Sequence, residues 1–154
     1  MSKARMERLL DLIHKIELET YDKTKRKLQL DKSKRILARL DAYSSECEEC
    51  TELLNEWESA LSELHEKASS PNDTDKKNHS LLIKKSVSHL QSTHKLVEEG
   101  HYMSIYMTLG MSIGLVFGLT IFDNLALGLP IGMVFGIALG TSLDADAKKK
   151  GKTI

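Results

Sequence analysis

The alternation of apolar and polar positions separates the chain into a charged part with helical periodicity and a nearly uncharged part. Between Tyr102 and Leu143 the only formally charged residue is Asp123. A stretch of about 40 residues is twice the ~20 residues that a helix needs to span a bilayer. We therefore predict two membrane spans, Tyr102–Phe122 and Leu125–Leu143, which a tight turn at Asp123 joins.

The N-terminal part carries a run of apolar positions with a period of 3.5 residues. Spacings of four and three alternate over four heptads, which indicates a helical stripe that must be buried against another helix. The partner is either another helix of the same chain or the same helix of a second subunit. The positions of this seam are Ile36, Leu40, Tyr43, Cys47, Cys50, Leu54, Trp57, Leu61 and Leu64.

Two shorter apolar stripes are candidate partners within the chain. One contains Leu9, Ile13 and Ile16, and the other contains Ile83 and Leu90. Together the patterns predict an all-α fold, in which an N-terminal cytoplasmic coiled coil or helical bundle precedes a two-helix transmembrane hairpin.

Turn-forming residues and changes in charge divide the chain further, because clusters of Ser, Asn, Asp and Pro favour turns. We predict a charged helical coiled-coil region (1–67), a linker (68–75), a third helix with a juxtamembrane hinge (76–100), the hairpin (101–143) and a basic tail (144–154).

Formal net charge is zero, but the charges are unevenly distributed. The basic residues that flank the two spans are Lys84, Lys85 and Lys95 before them and Lys148, Lys149, Lys150 and Lys152 after them. The turn between the spans has neither Lys nor Arg. By the positive-inside rule, both termini of this multi-pass membrane protein are predicted to be cytoplasmic.

Charge is also segregated in the N-terminal part, with a basic block from Lys23 to Arg39 and an acidic block from Glu46 to Glu66. We interpret these blocks as solvated helix faces, with pairing between the two blocks and binding to anionic lipid as alternatives. The acidic block would repel phosphate and the basic block has no interleaved aromatic residues, so a nucleic-acid partner is not predicted.

Seven of the nine glycines lie in the two spans, and within each span they recur every four residues. Such a row exposes backbone along one helix face and lets a partner helix approach closely in lipid. The simplest arrangement packs the two rows against each other, and the alternative places either row against a neighbouring subunit. These glycine-zipper positions are Gly110, Gly114 and Gly118 in the first span and Gly128, Gly132, Gly136 and Gly140 in the second.

A second row of small residues, Ser104, Thr108 and Ser112, lies on the opposite face of the first span. It suits a second helix contact, with the lining of a pore as the alternative. No ionisable side chain lies deep in either span, which argues against a proton relay.

Cys47 and Cys50 form a CxxC motif, for which a metal site or a redox pair are the two chemical alternatives. Because both occupy seam positions, we interpret them as small core residues. There is no second CxxC, and none of the six histidines belongs to an HExxH motif or lies close to the cysteines in sequence. The sequence therefore predicts no metal, no cofactor and no catalytic residue.

The segment from Tyr102 to Lys152 resembles the uncharacterised two-span glycine-zipper membrane proteins of Gram-positive bacteria. The resemblance is carried by GMSIGLVFG (110–118), LGLPIGMVFGIALG (127–140) and LDADAKKKGK (143–152). It implies a two-span topology and a bacterial host. Bacteriocin-immunity and membrane-stress proteins share this architecture.

These patterns lead to three hypotheses about function. The first is a non-enzymatic assembly protein that contacts membrane lipids and, through the seam and the zippers, forms a homo-oligomer or recruits a membrane-protein partner. The second is an oligomeric pore or channel. The third is a metal- or redox-responsive sensor that uses Cys47 and Cys50.

Overall fold

A computed structural model describes residues 3–67, 71–121 and 123–154. The described residues form seven α-helices and no β-strand, which confirms the predicted all-α class with two apolar helices at the C-terminal end. The helices are Lys3–Glu19 (α1), Asp22–Leu28 (α2), Leu30–Tyr43 (α3), Glu48–Glu66 (α4), Asp73–Ser92 (α5), His101–Thr120 (α6) and Leu125–Lys149 (α7). They belong to two compact units: a helical unit that extends to Lys95, and a hairpin unit, Leu96–Thr153.

The core of the helical unit forms around α4, which packs against α1, α3 and α5. The seam residues that α3 and α4 contribute to it are fully or nearly fully buried within this single chain: Ile36, Leu40, Cys50, Leu54, Trp57, Leu61 and Leu64. Both shorter stripes supply partners, with Leu9 from α1 and Leu90 from α5 also fully buried. The indole N–H of Trp57 donates to the Ser86 hydroxyl at 2.9 Å, so this buried polar group is satisfied.

The seam does not lie on one continuous helix. Helix α3 ends at Tyr43, a turn follows, and Cys47 is the extended N-cap of α4, with φ −134° and ψ 112°. Heptad spacing records only the phase of the apolar positions, and this turn preserves the phase. Ser44 favours the break because its hydroxyl donates to the Asp41 carbonyl at 2.8 Å, in competition with helix continuation.

The boundaries around the predicted linker also differ from the prediction. Residues 68–70 lie outside the described part, and α5 begins at Asp73, inside the predicted linker. A capping box starts the helix: the Asp75 amide donates to Asn72 Oδ1 at 2.8 Å, and the Asn72 amide donates to Asp75 Oδ2 at 3.1 Å. Helix α5 ends at Ser92, earlier than the predicted third helix.

In the hairpin unit, α6 and α7 pack along each other. Helix α7 continues beyond the predicted end of the second span to Lys149, and its last turn carries Lys148 and Lys149, which interact favourably with the helix dipole. Phe122, the predicted end of the first span, lies outside the described residues. At the turn, Asn124 caps α7, because its side-chain oxygen accepts from the Ala126 amide at 3.0 Å.

Candidate functional site

The two glycine rows face each other inside the hairpin. A methyl group placed on Gly132 would collide with the Gly110 carbonyl oxygen and lie 2.7 Å from Gly114 Cα. Reciprocally, one on Gly114 would lie 2.9 Å from Gly132 Cα. Any residue larger than glycine at these positions would push the helices apart. The structure therefore brings the predicted rows together within one chain, backbone against backbone.

The contact extends along the length of both helices. At the cytoplasmic end predicted from sequence, a methyl group on Gly140 would lie 2.5 Å from Met103 Cα. Near the turn the contact is asymmetric: a methyl group on Gly118 would lie 3.2 Å from Gly128 Cα, whereas one on Gly128 would collide with Gly118 Cα. The row of α7 is buried at each of its four glycines, although no side chain fills the interface.

The outer surface of the hairpin is apolar. Both helices are long and apolar enough to cross a membrane. Large hydrophobic side chains such as Val116, Phe135 and Leu139 are more than half exposed. In water such a surface would be unfavourable, whereas lipid tails solvate it at no cost in hydrophobic free energy.

The Ser104, Thr108 and Ser112 row is exposed on α6. Each hydroxyl donates to the carbonyl oxygen four residues earlier in the same helix, at 2.9, 2.9 and 3.0 Å respectively. These hydroxyls are thereby satisfied without a second helix or water, as is usual for such residues in membrane helices.

A carboxylate outside the predicted sites caps α6. Asp144 of α7 accepts from the Tyr102 amide at 3.0 Å and from the Met103 amide at 2.9 Å. Gly100, the N-cap residue of α6, has no side chain for this purpose. Asp144 follows Gly140 at the same spacing of four, so an extension of the glycine row would have pointed to it.

The helical unit contains a cluster of two cysteines and two histidines. The ligand atoms of Cys47, Cys50, His89 and His94 all lie within 4.8 Å of one another. His89 Nε2 lies 3.4 Å from Cys47 Sγ and 3.2 Å from Cys50 Sγ, and His94 Nε2 lies 3.3 Å from Cys50 Sγ. The two histidines are distant from the cysteines in sequence, and the fold brings them together because the end of α5 returns to the start of α4.

The surroundings of this Cys–His cluster hold its members in place. His89 is 4% exposed at its side chain, and its Nδ1 lies 3.0 Å from Glu49 Oε2. The ring of Tyr43 stacks on that of His94 with 4.0 Å between centroids. Tyr43 therefore contributes from the turn end of α3, and Glu49 from the first turn of α4.

Burial shifts the pKa values of two members of the cluster, Cys50 and His94. Burial raises the pKa of the Cys50 thiol to about 12, and the neighbouring Cys47 and Glu49 add to this shift. Burial also lowers the pKa of His94; nearby His89 adds to the shift and Glu46 opposes it. Both shifts favour the uncharged forms, the thiol of Cys50 and the neutral imidazole of His94.

Two signals in the sequence would have found the cluster. One is the CxxC motif, and the other is the pair His89 and His94, whose four intervening residues match the spacing of histidine ligands in Cys2His2 zinc sites. The 38 residues between Cys50 and His89 exceed the usual interval, so only the tertiary fold connects the two pairs.

Comparisons with known proteins concern the hairpin. Residues 93–146 match the family model described as glycine zipper membrane protein. Neither the curated proteins nor the solved structures provide a match. The family match and the two apolar helices together make this chain a membrane protein. Over residues 93–146 it is similar to glycine zipper membrane proteins, which confirms the glycine-zipper part of the predicted resemblance.

Proposed function

We propose that the chain is a non-enzymatic, two-span protein of the bacterial cytoplasmic membrane, in which the hairpin anchors a helical interaction domain at the cytoplasmic face. The observation that carries this proposal is the backbone contact between the two glycine rows. A hairpin that is closed on itself needs no second protein to satisfy its packing, so it suits an anchor.

The dimensions of the hairpin support a transmembrane position. At 1.5 Å per residue, the 20 residues of α6 extend about 30 Å, which equals the thickness of a typical hydrocarbon core. The 25 residues of α7 leave a further turn and a half for the lysine-rich end. Lysines flank the two spans, and the turn at Asp123 has neither Lys nor Arg. This distribution supports an orientation with both ends in the cytoplasm.

The helical unit supports the interaction role through the surface that it leaves exposed. The apolar seam is buried within one chain, so another protein would have to bind the exposed faces of the helices. Helix α4 presents an exposed acidic face that consists of Glu48, Glu49, Glu52, Glu56, Glu63 and Glu66. A second copy or a membrane-protein partner with a basic surface would complement this face.

Topology and assembly can be measured on the full chain. With Asp123→Cys, a membrane-impermeant maleimide should label intact cells, whereas Leu18→Cys, at an exposed position of the helical unit, should react only after lysis. Labelling of Leu18→Cys in intact cells would overturn the orientation.

The mass of the oligomer in nanodiscs tests whether contacts between copies are made by the helical unit or by the hairpin. Gly132→Ala should leave the number of copies unchanged, because that glycine contacts its own chain. Charge reversal at Glu52 and Glu63 should lower the number of copies or release a co-purified partner. Loss of the oligomer with Gly132→Ala alone, or ion conductance in planar bilayers, would favour the pore hypothesis and contradict the anchor.

A further inference from the structure

We propose that Cys47, Cys50, His89 and His94 bind one zinc ion in a closed Cys2His2 site. The site would lie entirely within the helical unit, and the proposal is independent of the anchor role of the hairpin. It assigns one chemical role to four residues that the fold brings together from two distant segments of the chain.

The first argument is the geometry of the ligand atoms. Zinc held tetrahedrally at about 2.3 Å from sulfur and about 2.0–2.1 Å from nitrogen places its ligand atoms about 3.3–3.8 Å apart. The three sulfur–nitrogen distances in the cluster are 3.2 to 3.4 Å, and no pair of the four ligand atoms is separated by more than 4.8 Å. The three sulfur–nitrogen distances would change by a few tenths of an ångström, and the most widely separated pair by up to about 1 Å, to admit the ion.

The second argument is the orientation of the histidines. His89 and His94 both present Nε2 to the sulfur atoms. The remaining nitrogen of His89 lies 3.0 Å from the Glu49 carboxylate. A carboxylate on the outer nitrogen fixes the tautomer that leaves Nε2 free, and metal-ligating histidines almost always have such a partner.

The third argument is the position of the cysteines. Cys47 is the N-cap of α4 and Cys50 lies in the first turn of that helix. The positive end of a helix dipole stabilises thiolates, which are the form that binds metal.

The choice of zinc follows from the ligand set. Two thiolates with two imidazoles in tetrahedral reach are typical of structural zinc sites, and four protein ligands leave no position for a substrate. The ion would fasten the start of α4 to the end of α5, two segments that are far apart in sequence. We therefore expect the site to stabilise the helical unit rather than to catalyse a reaction.

The direct test is metal content of the full-length protein, reconstituted in nanodiscs and dialysed against metal-free buffer with a reductant. Wild type should retain one zinc per chain, and added Co2+ should give thiolate charge-transfer and tetrahedral ligand-field bands. Cys50→Ser and His94→Ala should lose both. His14→Ala, which removes an exposed histidine of α1, is the matched control and should keep them.

A second pair of variants keeps the test decisive if Cys50→Ser does not fold. Glu49→Gln removes the carboxylate beside His89 and should weaken zinc binding about 10–100-fold. Glu48→Gln makes the same chemical change at the adjacent exposed position and should leave the affinity unchanged. Wild type without retained zinc, equal affinities for the two glutamate variants, or a Cys47–Cys50 disulfide trapped directly from cells would overturn the proposal.

Discussion

A single added methyl group provides a sharp test of the hairpin structure. Gly132→Ala places a Cβ against the Gly110 carbonyl oxygen and 2.7 Å from Gly114 Cα, whereas ordinary contact begins at 3.4 Å. The helices must therefore separate by at least 0.7 Å at this point, the difference between these two distances. A radial gap of about 0.5–1 Å forfeits a quarter to a half of each dispersion contact along the interface.

The expected cost is about 1–3 kcal/mol, the usual range for overpacking of a well-packed interface. Alanine does not recover this through its higher helix propensity, because α6 and α7 remain helical in lipid even when they separate. Gly118→Ala is the matched control. Its Cβ would lie 3.2–3.3 Å from its neighbours, so small shifts suffice and we expect less than about 1 kcal/mol.

The two variants can be compared by SDS titration of the full chain in mixed micelles. Fluorophores introduced as non-canonical amino acids at the exposed Ile105 and Ser142 would report separation of the helices by energy transfer. Gly132→Ala should shift the transition to lower SDS, and Gly118→Ala should shift it much less. Equal transitions for wild type and Gly132→Ala would refute the backbone contact on which the anchor proposal rests.

The hairpin was the most predictable part of the fold, because its packing depends on a single local rule. Within each span the glycines repeat every four residues, and the other span of the same chain carries a glycine row of matching spacing. The capping by Asp144 was not predicted, since it depends on where the end of α7 meets the start of α6. Asp144 lies next to the lysine-rich tail, and nothing in its local sequence indicates that its carboxylate caps a different helix.

In the helical unit, the sequence predicted which residues are buried better than it predicted where helices end. Leu54, Trp57 and Leu61 are fully buried, as the heptad pattern required. The break after Tyr43 was missed because the turn keeps the heptad phase. Periodicity reports the buried face, whereas a helix end depends on local backbone bonding, such as the Ser44 hydroxyl provides.

Hydrophobic periodicity could not predict the cysteine–histidine cluster. The interpretation of Cys47 and Cys50 as core residues considered only the helix that carries them. His89 and His94 belong to a different helix end, and their approach depends on the packing of α5 against α4. A short spacing between two pairs of ligands suffices to suggest a site, but a long one requires the tertiary structure.

Three further predictions concern substitutions whose effects the structure separates. Leu61→Ala should destabilise the helical unit by about 2–5 kcal/mol in urea unfolding followed by Trp57 fluorescence, whereas Leu18→Ala, at a 72% exposed position, should have an effect below about 0.5 kcal/mol. Asp144→Ala should cost about 0.5–2 kcal/mol and speed hydrogen exchange of the first amides of α6, and Asp146→Ala should change neither. The third prediction is pH dependence: burial lowers the pKa of His79 below its ordinary value of 6.5, although a backbone contact partly opposes this shift. The unfolded chain therefore binds more protons than the folded one below about pH 6.5, so stability should fall with decreasing pH by at most about 1.4 kcal/mol per unit. His79→Gln should flatten that slope, and an identical slope in both proteins would show that this imidazole is accessible to protons in the folded state.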